Sequence, residues 1–173
     1  MARTQGFCAG VARAIDIVER ALVKYGTPLY VFHEIVHNTS VVEGFRARGV
    51  IFVDDLNAVP DRSRVIFSAH GIAPEVLTLA ATKGLKWIDA TCPLVTKVHK
   101  EAVRFSNEGI DVLLIGHKGH EEVVGTAGHV NPDLLHIVQT PMDIDRLTIP
   151  PHKKVAFITQ TTLSVDDTRE LIL

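Results

Sequence analysis

Short aliphatic and β-branched runs recur along this chain, each closed by turn-forming residues and followed by a stretch whose apolar positions return every three or four residues. The runs predict strands over 29–33, 50–53, 65–68, 86–89, 111–116, 134–138 and 155–159, with helices between them. One helical stripe is Val11, Ala14, Ile15, Val18, Ala21 and Leu22; another is Leu94, Val95, Val98, Ala102, Val103 and Phe105. Strands that alternate with helices predict parallel pairing and an α/β fold with mainly parallel sheets. The proline-rich break at 148–152 reads as a loop.

Polar residues fall at particular places in this alternation. The strands in "VIFSAHGIAPE", "WIDATCPLVTK", "VLLIGHKGHEE" and "AFITQTTLSVDD" each run into small, hydroxyl, imidazole or thiol residues and then into a helix start. Open parallel sheets bind ligands at such carboxyl ends, where helix N-termini present unpaired N–H groups and a partial positive charge. His70, Cys92, His117, His120 and Thr161 therefore sit at expected ligand-binding ends.

The same layout occurs twice. Cys8 opens a helix and is followed 29 residues later by His37 in "HEIVHN"; Cys92 opens a helix and is followed 28 residues later by His120 in "HKGHEE". Two units with a period of 84 residues predict domains over 1–91 and 92–173 that bring two thiols, two histidine loops and two polar strand ends to a shared centre. A third unit would open with a further cysteine. The glycine loop at Gly6 should also follow a strand, so the chain reads as part of something larger, with a third domain missing.

Composition narrows the chemistry. With 18 Lys and Arg against 20 Asp and Glu, and a formal net charge of −2, there is no basic excess of the kind that nucleic-acid binding needs. No apolar run approaches the roughly 20 residues of a membrane span, and nothing resembles a secretory signal, which predicts a cytosolic, reducing compartment. Two cysteines in that setting are buried structural thiols, metal ligands or catalytic groups rather than a disulfide. A thiol at a helix N-terminus is acidified by the helix field, and Gly6 and Gly10 let the backbone approach a bulky ligand. Inert packing, a zinc site with two histidines and an iron–sulfur cluster all stay open, as does a scaffold without redox chemistry. His37, His70 and His120 share a strand-to-helix layout suited to holding a diphosphate, whereas His99, His129, His136 and His152 have no patterned company. Glu122, beside His120, is either a buried general acid or, with Glu121, a partner of the helix dipole.

The stretches "GFCAGVARAI", "VFHEIVHN", "IFSAHG", "DATCPLVTKVH", "IGHKGHEEVVGT" and "FITQTTLSVDDT" resemble the IspH (LytB) family of 4-hydroxy-3-methylbut-2-enyl diphosphate reductases over nearly the whole chain. The resemblance implies three pseudo-symmetric α/β domains around a central 4Fe–4S cluster, of which this chain holds two. It implies reductive removal of the allylic hydroxyl to give isopentenyl and dimethylallyl diphosphates, the last step of the methylerythritol phosphate route. An electron donor of ferredoxin or flavodoxin type is implied as well. Position by position, Cys8 and Cys92 match cluster ligands. His37, His70 and His120 match substrate-binding histidines, Glu122 the proton donor and Thr161 a substrate-contacting threonine, with Thr159 and Gln160 lining the same turn. Three positions depart from the family pattern: Thr4-Gln5 stand where it has Pro-Arg, and Glu121 where it has proline. With only two thiolates, this chain alone is expected to be at best weakly active.

Overall fold

Parallel pairing joins every strand to its neighbours in a computed structural model that describes residues 6–172. Thr4 and Gln5, and any strand before the Gly6 loop, lie outside the described residues. The chain divides into two units, Met1–Gly71 with Glu75–Pro93, and Ile72–Pro74 with Leu94–Leu173.

The first unit contains α1 (Ala9–Tyr25), β1 (Leu29–Phe32), α2 (Thr39–Arg46), β2 (Val50–Val53), β3 (Arg64–Phe67), α3 (Pro74–Thr82) and β4 (Lys86–Asp89). Its sheet runs β2-β1-β3-β4, with Tyr30 level with Ile51 on one side and Val65 on the other. All four residues of β1 are buried, which is why the run is apolar without alternation. The stripe of α1 does what its period predicts: Ala14, Val18 and Ala21 share a core with Leu29, Val31, Val50 and Ile66. The helix stops at Gly26, whose φ of 68° suits glycine and whose N–H donates to the Leu22 carbonyl.

The second unit contains α4 (Pro93–Asn107), β5 (Asp111–Ile115), α5 (Glu121–Ala127), β6 (Leu135–Val138), α6 (Pro141–Asp145), β7 (Val155–Thr159) and α7 (Val165–Ile172). Its sheet runs β6-β5-β7 over a core of Ala102, Val112, Leu114, Val123, Val130 and Ile158. At the amino end of β5, the buried Asp111 carboxylate accepts from His136 Nε2 at 2.8 Å and pairs with Lys153 Nζ at 3.2 Å. The hydrogen bond from His136, then Lys153, holds the Asp111 carboxyl below its usual range against the opposing effect of burial.

Two details differ from expectation. In α4 only Val95 and Ala102 are buried; Leu94 is 64% exposed and Val103 37%. The apolar positions of that segment cover more than one face, so they cannot all turn inward together. His33, expected inside a strand, comes one residue after β1 with φ 59°, its N–H still donating to the Val53 carbonyl. Among the described residues no helix is long and apolar enough to cross a membrane.

Candidate functional site

Cys8 is the N-cap of α1, in extended conformation, but its side chain makes no capping hydrogen bond. The thiol is exposed and neither cysteine is in a disulfide. Cys92 follows β4, and its N–H donates to the Ala69 carbonyl at 2.9 Å, joining the loops that leave β3 and β4. The two cysteines meet at Gly10: a Cβ placed there would lie 2.6 Å from Cys92 Sγ and 3.9 Å from Cys8 Sγ. Both sulfurs thus lie within 4 Å of one point beside the first turn of α1. Arg13, on the same helix, donates from a terminal guanidinium nitrogen to the Thr91 carbonyl at 3.0 Å, while the Thr91 N–H is held by Asp89 Oδ1 at 2.8 Å. Two thiols converging on Gly10 at a helix N-terminus form a donor set that fits a thiolate-ligated metal group.

His37 and His70 belong to the same unit. His70 follows β3 and is buried, and its ring stacks on that of His37 with centroids 4.1 Å apart. The loops carrying them are joined by the Ala69 N–H donating to the Ile35 carbonyl. His37 Nδ1 lies 3.4 Å from Glu34 Oε2, and the next residue, Asn38, caps α2 by accepting from the Val41 N–H.

The second unit assembles His120, Glu122 and Thr161. His120 is the N-cap of α5; its Nδ1 accepts the Glu122 N–H at 3.1 Å, which leaves the proton of a neutral ring on Nε2. Glu121 fills the first helical position, where proline is equally tolerated because that N–H has no helical partner. Glu122 stands in the first turn of α5. It is 1% exposed, and its two carboxylate oxygens accept from the Thr161 N–H at 2.5 Å and the Thr161 hydroxyl at 3.0 Å. Burial raises the affinity of the carboxyl for its proton above the ordinary glutamate value, and the two Thr161 bonds oppose that only in part.

Gln160 holds this arrangement together. Buried at 4% exposure, it accepts the His117 N–H at 3.0 Å and donates to Thr162 Oγ1 at 2.7 Å, bracing the loop after β7 against the loop after β5. Gly116 leaves the room for it, since a Cβ there would stand 3.0 Å from Gln160 Oε1 and 2.5 Å from Val123 Cγ2. His117 itself is exposed and contributes its backbone. Thr159, the last residue of β7, and Thr161 in the loop after it border a hollow of about 360 Å³ with Leu94, Lys97, Glu101 and Phe157. Arg13 and the bracing role of Gln160 were not legible in the sequence, because both act between loops that are distant along the chain. His99 and His129, which had no patterned company, lie with ring centroids 4.3 Å apart in a tilted contact.

The description "LytB protein" belongs to a family model that matches residues 1–173. The chain is 54% identical over 172 residues to 4-hydroxy-3-methylbut-2-enyl diphosphate reductase 2 of Burkholderia mallei, covering 99% of this chain and 52% of the relative. It is 55% identical over 172 residues to the corresponding reductase of Cutibacterium acnes, covering 99% of this chain and 53% of that protein. The solved E-1-hydroxy-2-methyl-but-2-enyl-4-diphosphate reductase from Plasmodium falciparum shares its fold with a TM-score of 0.94 and 46% identity, over 98% of this chain and 53% of that one. The chain spans about half the length of the curated relatives it matches. Two sheets of the expected parallel kind and a sequence match from end to end lead to one conclusion: the chain belongs to the LytB protein family.

Proposed function

We propose that this chain supplies two domains of an iron–sulfur reductase. The reaction removes the allylic hydroxyl of (E)-4-hydroxy-3-methylbut-2-enyl diphosphate, giving isopentenyl and dimethylallyl diphosphates and closing the methylerythritol phosphate route in the cytosol. It consumes two electrons and two protons and releases water. The observation that carries the reading is the convergence of Cys8 and Cys92, 84 residues apart in sequence, on Gly10.

Cys8 and Cys92 would hold a 4Fe–4S cluster, with a third thiolate from the remainder of the full-length protein. When bound, the cluster supplies a Lewis-acidic iron and electrons received from a ferredoxin- or flavodoxin-type donor. His37, His70 and His120 would donate to the diphosphate oxygens; a proton on His120 Nε2 suits that role. Glu122 would carry the proton for the departing hydroxyl, and its 3.0 Å bond to the Thr161 hydroxyl gives that proton a route to the substrate. Desolvation of Glu122 supports this role, because it keeps the acid form populated at higher pH.

Anaerobic reconstitution of the full-length protein with iron and sulfide tests the reading. About four irons per chain are expected, with loss of most of them in Cys8→Ser and Cys92→Ser. Uptake of zinc alone, or of no metal, would overturn it. Glu122→Gln should reduce turnover by 10²-fold or more while keeping the full iron content, and wild-type turnover in that variant removes Glu122 from the proton path.

A further inference from the structure

The backbone of Gly10 does not need glycine. It lies inside the first turn of α1 and outside the positive-φ region, where any residue is allowed and where glycine is a poorer helix former than alanine. Space is what excludes a side chain: a Cβ would meet Cys92 Sγ at 2.6 Å and Cys92 Cβ at 3.4 Å. Gly44, inside α2, is the internal contrast, since a Cβ there meets nothing within 4 Å. Three residues after Gly10 on α1, Arg13 reaches across to the carbonyl of Thr91, the residue that precedes Cys92. The helix that carries Cys8 therefore touches the Cys92 loop at two points. One leaves clearance for the second sulfur, and the other fixes the peptide from which that sulfur hangs.

We infer that Gly10 and Arg13 are positioning residues that set the distance between the Cys8 and Cys92 sulfurs. The inference rests on the proposal that these thiols hold the cluster, and it adds what determines their spacing. Alanine at Gly10 would push the Cys92 sulfur off α1 and away from that of Cys8. Loss of the Arg13 guanidinium would let the Thr91–Cys92 peptide drift, so that the two thiols no longer stand ready together.

The test uses the full-length protein in two forms. Under anaerobic reconstitution, Gly10→Ala and Arg13→Met should take up several-fold less iron and sulfide than wild type, with a weaker visible thiolate–iron absorption band. Gly44→Ala should match wild type, and Arg13→Lys should recover part of the loss. In metal-free protein, phenylarsine oxide bridges paired thiols; it should protect Cys8 and Cys92 together from alkylation in wild type and Gly44→Ala, and much less in Gly10→Ala and Arg13→Met. Wild-type iron uptake and wild-type arsenical protection in Gly10→Ala and Arg13→Met would overturn the inference. Should Gly10→Ala fail to fold, the exposed Arg13→Met decides alone. If wild type takes up no iron, the functional proposal fails, and the arsenical comparison still judges the spacing.

Discussion

Glu122 is a carboxylate in a place where charge is expensive. Two donors from Thr161 face it, yet burial dominates and its proton is held more tightly than in the unfolded chain. Such a group contributes its full stability below the ordinary glutamate pKa of about 4.3, and that contribution is lost as pH rises through the raised folded value. Glutamine cannot ionise, can accept the same N–H and has nearly the same shape. The stability of Glu122→Gln relative to wild type should therefore increase from acid to neutral pH, as thermal melts across that range would record. A difference independent of pH would mean that the carboxyl is not perturbed.

At the scale of elements, two side chains do the joining. Asn38 starts α2 immediately after His37, and Asn38→Ala should cost about 1 kcal/mol in chemical denaturation. Gln160 ties the loop after β7 to the loop after β5, and Gln160→Leu leaves the His117 N–H without its acceptor. A loss of about 1–3 kcal/mol is expected, together with reduced turnover, because Thr161 is the next residue. The elements themselves were legible: an apolar run such as "LYVF" and the turns around it are local, and all seven expected strands agree to within one residue at each end with those formed. The run of polar residues after each strand was legible for the same reason. Contacts across the fold were not. Gly10 reads as a backbone allowance in the sequence, and only folding brings Cys92 onto it. Leu94 and Val103 obey the helical period and still face outward, because periodicity identifies a stripe and not its edges.

Across the whole molecule, one arrangement is used twice. In each unit the earliest described strand is flanked by the next two: β2-β1-β3 in one, β6-β5-β7 in the other, with the cysteine-led helices α1 and α4 just ahead of β1 and β5. The repeat suggested by Cys8 and Cys92 in the sequence is thus also a repeat of strand order. Away from the thiols, Asp111 anchors β5 through His136 and Lys153. Its lowered pKa gives stability that is complete above the ordinary aspartate value of about 3.9 and is lost as pH falls through the folded one. Asp111→Asn should be less stable than wild type at neutral pH, with the gap closing on acidification, as urea midpoints would show.

The central position of β1 and β5 has a consequence for synthesis. Each precedes its described sheet partners along the chain, and those parallel partners can pair with it only after an intervening helix has been made. The fully buried "LYVF" segment must therefore wait, with both its edges unpaired, until β2 and then β3 arrive. During that interval a strand that ends up wholly buried is unprotected, so the nascent chain is most open to aggregation or chaperone capture while its centre is finished and its flanks are not.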